Sequence, residues 1–274
     1  MEYYEFYKFK EDPFGITPDP DFFYPSKTHM EAFESIRYLI QKGEGFMLVT
    51  GNPGTGKTTL IRKFLRNFKE ENILPIVIYN SSLTPEELLK GIIEKLSKND
   101  NQIDLNKFQS KLSMIEFLSE YLKNKKLSGY KNILIIDEAQ DMPEETLTEI
   151  KHLSNIETEK EKLFQIILFA QPYFEDLLAK PKYSQINQRI SLKVRLYPLS
   201  KEEVGEYVKF RLQTVAETPV YFKKSAIRKI YKASKGIPRL INLICSRALM
   251  VGYIKNSYKI KKSYVKLAVK HLHL

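Results

Sequence analysis

Between the apolar run Phe46-Met47-Leu48-Val49 and the amphipathic stretch Leu60-Ile61-Arg62-Lys63-Phe64-Leu65 stands the nonapeptide Gly51-Asn52-Pro53-Gly54-Thr55-Gly56-Lys57-Thr58-Thr59. It satisfies the pattern of Gly, four residues, Gly, Lys and Ser/Thr, and it does so between a short buried strand and a helix, the context the motif requires. Gly51, Gly54 and Gly56 let the backbone take conformations that a side chain would block, so successive N–H groups can turn inward around an anion. Lys57 can reach terminal phosphates, the Thr58 hydroxyl can hold Mg²⁺, and the helix N-terminus adds its partial positive charge. A plain glycine-rich turn would explain the glycines but not the Gly-Lys-Thr-Thr that follows them. The stretch reads as a phosphate clamp.

A second stretch, Asn132-Ile133-Leu134-Ile135-Ile136-Asp137-Glu138, complements it. Four consecutive apolar residues make a strand buried on both faces, as in a parallel sheet, and two carboxylates arrive at its C-terminal end. Ligands of open parallel sheets sit outside the carboxyl ends of strands, where the clamp also lies. Asp137 is placed to orient a Mg²⁺ water shell and Glu138 to polarise water for attack on a γ-phosphate. The run Phe164 to Ala170 is another buried strand, ending in Gln171, whose amide can reach the γ-phosphate or the attacking water.

The rest of the chain supplies the frame. Tyr7 to Tyr24 is rich in Pro and aromatics and reads as an ordered arm, since Pro at that density excludes a helix or an inner strand. Ser26 caps a helix from Lys27 to Gln41, with His29 in its first turn. Leu74 to Tyr79 is a strand, and Thr84-Pro85-Glu86-Glu87 opens a helix. Residues 98–106 read as a polar loop, followed by helices over Lys107–Lys126 and Glu144–Ser154. Lys193 to Tyr197 is a fifth strand. From Ser200 the pattern is helical throughout: Lys201–Thr214, Lys223–Ser234, Pro238–Lys255 and Lys262–His271, with Gly236-Ile237-Pro238-Arg239 between two of them.

With 43% hydrophobic and 12% aromatic residues, the 274-residue chain has an ordinary globular composition. No run of about 18 apolar residues predicts a membrane span, and the acidic, aromatic N-terminus does not resemble a signal peptide. The expected location is the cytoplasm, free or peripheral to the inner membrane. Cys245 is the single cysteine, which excludes an internal disulfide framework and any multi-cysteine metal site. The net charge of +11 is segregated: residues 1–197 hold 27 Lys and Arg against 29 Asp and Glu, whereas residues 198–274 hold 17 against 4. Such asymmetry suits an anionic partner for the C-terminal part, or reflects a lysine-decorated solvated surface.

Clamp, Asp-Glu strand, polar strand tip, an arginine before the last strand and a Gly-Ile-Pro-Arg helical segment follow one another in the order of an AAA+ ATPase, which the chain resembles. More closely, it is similar to the ATPase domain of the general secretion pathway protein A (ExeA-type) group, which takes in pilus-biogenesis ATPases and neighbours the helper ATPases of transposition. The residues carrying that resemblance are Phe14-Gly15, Pro18 to Tyr24, His29-Met30-Glu31-Ala32, Gly45-Phe46, Leu153 to Glu157, Gln171-Pro172, Gln185 to Ile190 and Gly236 to Asn242.

The resemblance implies a three-layer α/β P-loop NTPase core with a parallel sheet of about five strands, followed by a small helical lid. It divides the chain into residues 1–197, comprising an arm and helix over 1–44 and the core over 45–197, and a lid over 198–274. It implies ATP and Mg²⁺ as ligands, with Asn52, Pro53, Thr55 and Thr59 joining the clamp glycines, Lys57 and Thr58. Asp137 and Glu138 match the Walker B pair and Gln171 the sensor 1 position. Arg239 matches the sensor 2 arginine, reaching from the lid to the γ-phosphate. Arg189 falls where an arginine finger acts on a neighbouring subunit of a homo-oligomer, with Arg195 as the other candidate. The arm and His29 occupy the region that covers the adenine.

Members of the secretion group carry a membrane-spanning segment and a periplasmic peptidoglycan-binding region beyond the ATPase domain, whereas this chain stops at Leu274. It reads either as a piece of such a protein or as a stand-alone ATPase serving another process. The partner implied is a component of secretion or pilus machinery, with DNA, held by the basic lid as in a transposition helper, as the alternative. The tetrapeptide Asp137-Glu138-Ala139-Gln140 is helicase-like, but a helicase of that kind needs a second motor domain, for which the chain is too short.

Overall fold

The computed structural model describes residues 2–43, 45–68, 72–98, 103–104, 107–108, 110–157, 162–217 and 219–274. Twelve α-helices are seen among them: α1 Glu2–Tyr7, α2 Lys27–Lys42, α3 Lys57–Asn67, α4 Pro85–Ser97, α5 Lys111–Leu127, α6 Glu144–Leu153, α7 Tyr173–Leu178, α8 Ser184–Asn187, α9 Lys201–Val215, α10 Lys224–Ser234, α11 Pro238–Ile254 and α12 Lys262–His271. The strands are β1 Phe46–Gly51, β2 Ile73–Ile78, β3 Lys131–Ile136, β4 Phe164–Ala170, β5 Ile190–Leu196, and the two-residue β6 Tyr221–Phe222 and β7 Lys259–Ile260. They form two compact units, one of Thr28–Gly51 and Phe64–Leu196, the other of Met1–Lys27, Asn52–Lys63 and Tyr197–Leu274.

The first of these units is built on a parallel five-stranded sheet in the order β2-β3-β4-β1-β5. β1 and β4 are buried along their whole length and β3 at all but its first residue, which is why they read as unbroken apolar runs. The outer strands alternate instead: β2 buries every second residue, and β5 exposes Ser191, Lys193 and Arg195. Pro75 sits in β2, paired with Ile133 on its one hydrogen-bonded side. An edge strand tolerates the missing N–H, a central strand would not. α4 begins with a reciprocal capping box, the Thr84 hydroxyl accepting from the Glu87 N–H and the Glu87 carboxylate from the Thr84 N–H. Such a cap is worth about 1 kcal/mol, and it aims Leu88, Leu89, Ile92, Ile93 and Leu96 into the core under β2 and β3.

β3, β4 and β1 stand side by side and point the same way, so Asp137, Gln171 and Gly51 arrive together at one end of the sheet. The crossover that carries β2 away from β1 creates this arrangement, the usual place for a ligand in an open α/β sheet. The expected polar loop over 98–106 lies largely outside the described residues, and α5 begins at Lys111 rather than Lys107.

In the second unit, α9 to α12 close on a core of Val204, Leu212, Ile230, Ile241, Ile244, Cys245, Leu249 and Val265. The region is helical as its pattern predicts, and it adds a parallel pairing of β6 with β7. The N-terminal arm belongs to this core. The Tyr7 hydroxyl donates to the carbonyls of Leu249 at 3.0 Å and Ser257 at 3.1 Å. A Cβ on Gly252 would lie 2.6 Å from that hydroxyl, so the helix needs glycine there. α1 itself has no counterpart in the sequence reading. Six residues do not hold a helix alone, and α1 forms because Tyr3, Phe6 and Tyr7 pack edge-on or stacked against Tyr253 and Tyr258.

Candidate functional site

β1 runs extended through Gly51, and the chain then turns through the clamp into α3. Gly54 has φ +80° and Gly56 φ +105°, so two of the three clamp glycines take the conformation that their missing Cβ permits, while Gly51 remains the last residue of the strand. The loop is pinned at Asn52, whose carbonyl accepts from both the N–H of Thr55 at 3.2 Å and its hydroxyl at 2.8 Å. Lys57 is 4% exposed. An ammonium withdrawn so far from water, at the end of a loop turned by two glycines at positive φ, fits a polyanion such as a nucleotide.

Gly236-Ile237-Pro238-Arg239 meets this loop. The Arg239 N–H donates to the Gly54 carbonyl at 3.2 Å, and a Cβ on Gly54 would lie 2.8 Å from the Arg239 Cβ and 3.2 Å from the Ile237 side chain. The Arg239 side chain beyond that contact is exposed.

At the sheet end, Asp137 is buried and fixed through its N–H to the Ile78 carbonyl, while its Oδ1 accepts the Glu138 N–H at 3.0 Å. Glu138 has φ +51°, a left-handed conformation that non-glycine residues rarely hold and that clusters at functional positions. Its carbonyl accepts from the Ser81 hydroxyl and its Oε2 from the Gln140 Nε2 at 2.8 Å. Gln140 also donates to Asp141 at 3.1 Å, and its Oε1 accepts the Gln171 N–H at 3.0 Å. One buried amide thus ties the candidate base to the tip of β4. Gln140 escaped the sequence reading as a site residue, although it closes the Asp-Glu-Ala-Gln tetrapeptide. Tyr173 neighbours this group, its hydroxyl raised in pKa by burial and then by the charges of Asp141 and Glu138.

The unit that holds the clamp has a further cavity of ≈ 410 Å³, walled by Asp12, Gly15, Thr17, Pro18, Phe22 and two arginines, Arg62 of α3 and Arg211 of α9. The Arg62 guanidinium donates to the Pro18 carbonyl. Arg211 is 6% exposed, donates to the carbonyls of Pro13 and Gly15 and lies 4.0 Å over the Phe22 ring; burial lowers its pKa. The arm was legible as ordered, but the arginines that hold it were not.

His29 is buried in α2. Arg189 is half-buried with its guanidinium on the Ser154 hydroxyl at 3.1 Å, near Glu157, and Arg195 is an exposed residue of β5. Thr58 offers a hydroxyl and Asp137 a carboxylate, each an oxygen donor of the kind Mg²⁺ favours over nitrogen or sulfur. Among the described residues no helix is long and apolar enough to cross a membrane.

Residues 40–178 match the AAA domain family. The chain is 35% identical over 266 residues to general secretion pathway protein A of Aeromonas hydrophila, covering 97% of this chain and 48% of that protein. It is 29% identical over 136 residues to the ATP-dependent target DNA activator B of Escherichia phage Mu, covering 50% of this chain and 39% of that protein. The chain therefore spans about half or less of these relatives. Among solved structures, the ORC2 protein of Aeropyrum pernix in ADPNP-ADP complexes superposes with a TM-score of 0.73 at 15% identity, over 96% of this chain and 72% of that one. Drosophila ORC bound to DNA superposes with a TM-score of 0.74 at 19% identity, over 100% of this chain and 66% of that one. At such identities the likeness is one of fold.

Proposed function

The chain belongs to the AAA domain family and is an ATPase of the AAA+ class, and from that premise we propose that it hydrolyses ATP with Mg²⁺ to drive assembly or remodelling of a partner complex in secretion or pilus biogenesis. The observation that carries the reading is the clamp, with two glycines at positive φ and a buried Lys57 in the sequence Gly-Lys-Thr-Thr. Lys57 neutralises charge on the terminal phosphates, and Thr58 and Asp137 hold Mg²⁺. When bound, the metal draws charge from the phosphate oxygens. Glu138 takes a proton from the attacking water, and Gln171 orients that water or the γ-phosphate. Arg239 brings the lid to the γ-phosphate, and Arg189, or Arg195, acts on a neighbouring subunit of a homo-oligomer. The cavity of the arm receives the base, held by backbone carbonyls and the Phe22 ring.

The secretion or pilus assignment rests on the relative of Aeromonas hydrophila. A second reading, a DNA-bound ATP switch, is favoured by one observation, the segregation of 17 Lys and Arg against 4 Asp and Glu in residues 198–274. The test of hydrolysis is common to both readings. Lys57→Ala should lose nucleotide affinity, whereas Glu138→Gln should bind ATP and fail to turn it over. Hydrolysis at the unaltered rate by Glu138→Gln would remove Glu138 as the base.

A further inference from the structure

From residue 218 to Leu274 the chain contains no Asp or Glu and 14 Lys or Arg. The fold arranges part of this charge in ladders. On α10, Lys224, Arg228 and Lys232 recur every four residues, and on α12, Lys262, Lys266 and Lys270 do the same; all six are exposed. Residues at this spacing share one helix face. The two helices pack against one another, so the two ladders belong to one small body. We propose that these ladders form a docking surface for the phosphate backbone of double-stranded DNA.

Like charges four residues apart weaken a helix, and exposed helices ordinarily intersperse carboxylates with their lysines. The first 197 residues do so, with 29 acids against 27 bases. Helices α10 to α12 do not, so a lysine-rich composition alone leaves the segregation unexplained. A polyanion relieves the repulsion. Each ladder extends ~12 Å, and a duplex presents about seven phosphate charges over that length of its axis. An acidic membrane surface fits less well, because a helix lying in a bilayer interface inserts an apolar face. Those of α10 and α12 are already spent on Ala226 and Ile230 and on Val265, Ala268 and Val269, in the core of their own unit. The surface deepens the second reading of function, in which DNA is the anionic partner, and rests on it.

The test is fluorescence anisotropy of a labelled duplex of about 30 base pairs with the whole chain and ATP, between roughly 50 and 200 mM salt. Two triple variants are compared, Lys224→Gln/Arg228→Gln/Lys232→Gln and Lys262→Gln/Lys266→Gln/Lys270→Gln, with Lys90→Gln/Lys95→Gln/Lys123→Gln as a control of equal charge on exposed positions elsewhere. The expected result is a steep fall of affinity with salt, a logarithmic slope shallower by about 2–3 in each ladder variant, and a control that matches the unaltered chain. ATP hydrolysis and thermal unfolding are measured on the same samples. No duplex binding at low salt, an equal loss in the control, or binding to acidic phospholipid vesicles but not to duplex would overturn the proposal. Hydrolysis that persists in such a case leaves the ATPase assignment standing, whereas duplex binding with no hydrolysis would sink the assignment and spare the surface.

Discussion

The backbone N–H of Arg239 donates to the carbonyl of Gly54 at 3.2 Å, so the first turn of α11 rests on the middle glycine of the clamp. The contact is backbone to backbone and leaves the Arg239 side chain exposed. It makes Gly54 doubly constrained. One demand is φ +80°, and the other is the approach of Arg239 and Ile237 to the place where a Cβ would be. Any change in the clamp therefore reaches α11 with no intervening side chain.

Gly54→Ala should weaken ATP binding at least tenfold. A left-handed alanine costs about 1–2 kcal/mol, and the 2.8 Å approach to the Arg239 Cβ forces the clamp or α11 to shift. Calorimetric titration with ATP checks this, and an unaltered dissociation constant would show that the contact is not coupled to the phosphate site.

Gly236→Ala should act on stability more than on binding. Gly236 has φ +80°, its carbonyl accepts the Leu199 N–H at 2.8 Å, and an added Cβ would meet the Leu199 carbonyl oxygen at 2.0 Å. Backbone cannot swing aside as a side-chain tip can. A loss of at least ~2 kcal/mol follows, a fall in melting temperature of roughly 4–8 °C for a chain of this size. A variant melting within a degree of the original would show that the turn is free to rearrange.

The sheet was legible because its inner strands are buried on both faces, and such strands announce themselves as unbroken runs such as Ile133 to Ile136. The clamp was legible because backbone geometry and phosphate chemistry both restrict residue choice. What stayed hidden depends on contacts distant in sequence. α1 exists through rings 250 residues away, and Gln140 matters only because β4 ends beside β3, where its amide meets the Gln171 N–H. Arg211 is hidden for the same reason: a lone arginine in an amphipathic helix reads as solvated, and only the fold lays it over Phe22.

Arg211→Lys should loosen the arm. The guanidinium donates to two carbonyls, those of Pro13 and Gly15, and stacks on Phe22, none of which one ammonium reproduces together. Losing a charged hydrogen bond in a buried place is worth about 1.5–3 kcal/mol. Faster amide exchange over residues 13–22 should accompany a lower melting temperature. If the cavity holds the base, the dissociation constant for ATP should rise while that for inorganic triphosphate stays the same. Equal protection of residues 13–22 in both proteins would show that Arg211 does not hold the arm.

Gln140→Glu tests whether the amide positions the candidate base. Gln140 is 8% exposed, its Nε2 donates to Glu138 at 2.8 Å and Asp141 at 3.1 Å, and its Oε1 accepts from Gln171. An ionised carboxylate in its place keeps the acceptor for the Gln171 N–H but turns both donations into repulsion. Glu138 should swing away, and kcat should fall tenfold or more, a barrier rise of about 1.4 kcal/mol, with the affinity for ATP unaltered. The new carboxyl sits beside two negative charges, which raise its pKa. As pH falls through that raised value it gains a proton and can again donate to Glu138. The ratio of variant to original kcat should thus climb toward acid pH. A merely structural role would lower the melting temperature and leave that ratio flat, and a pH-independent ratio would remove Gln140 from the positioning of Glu138.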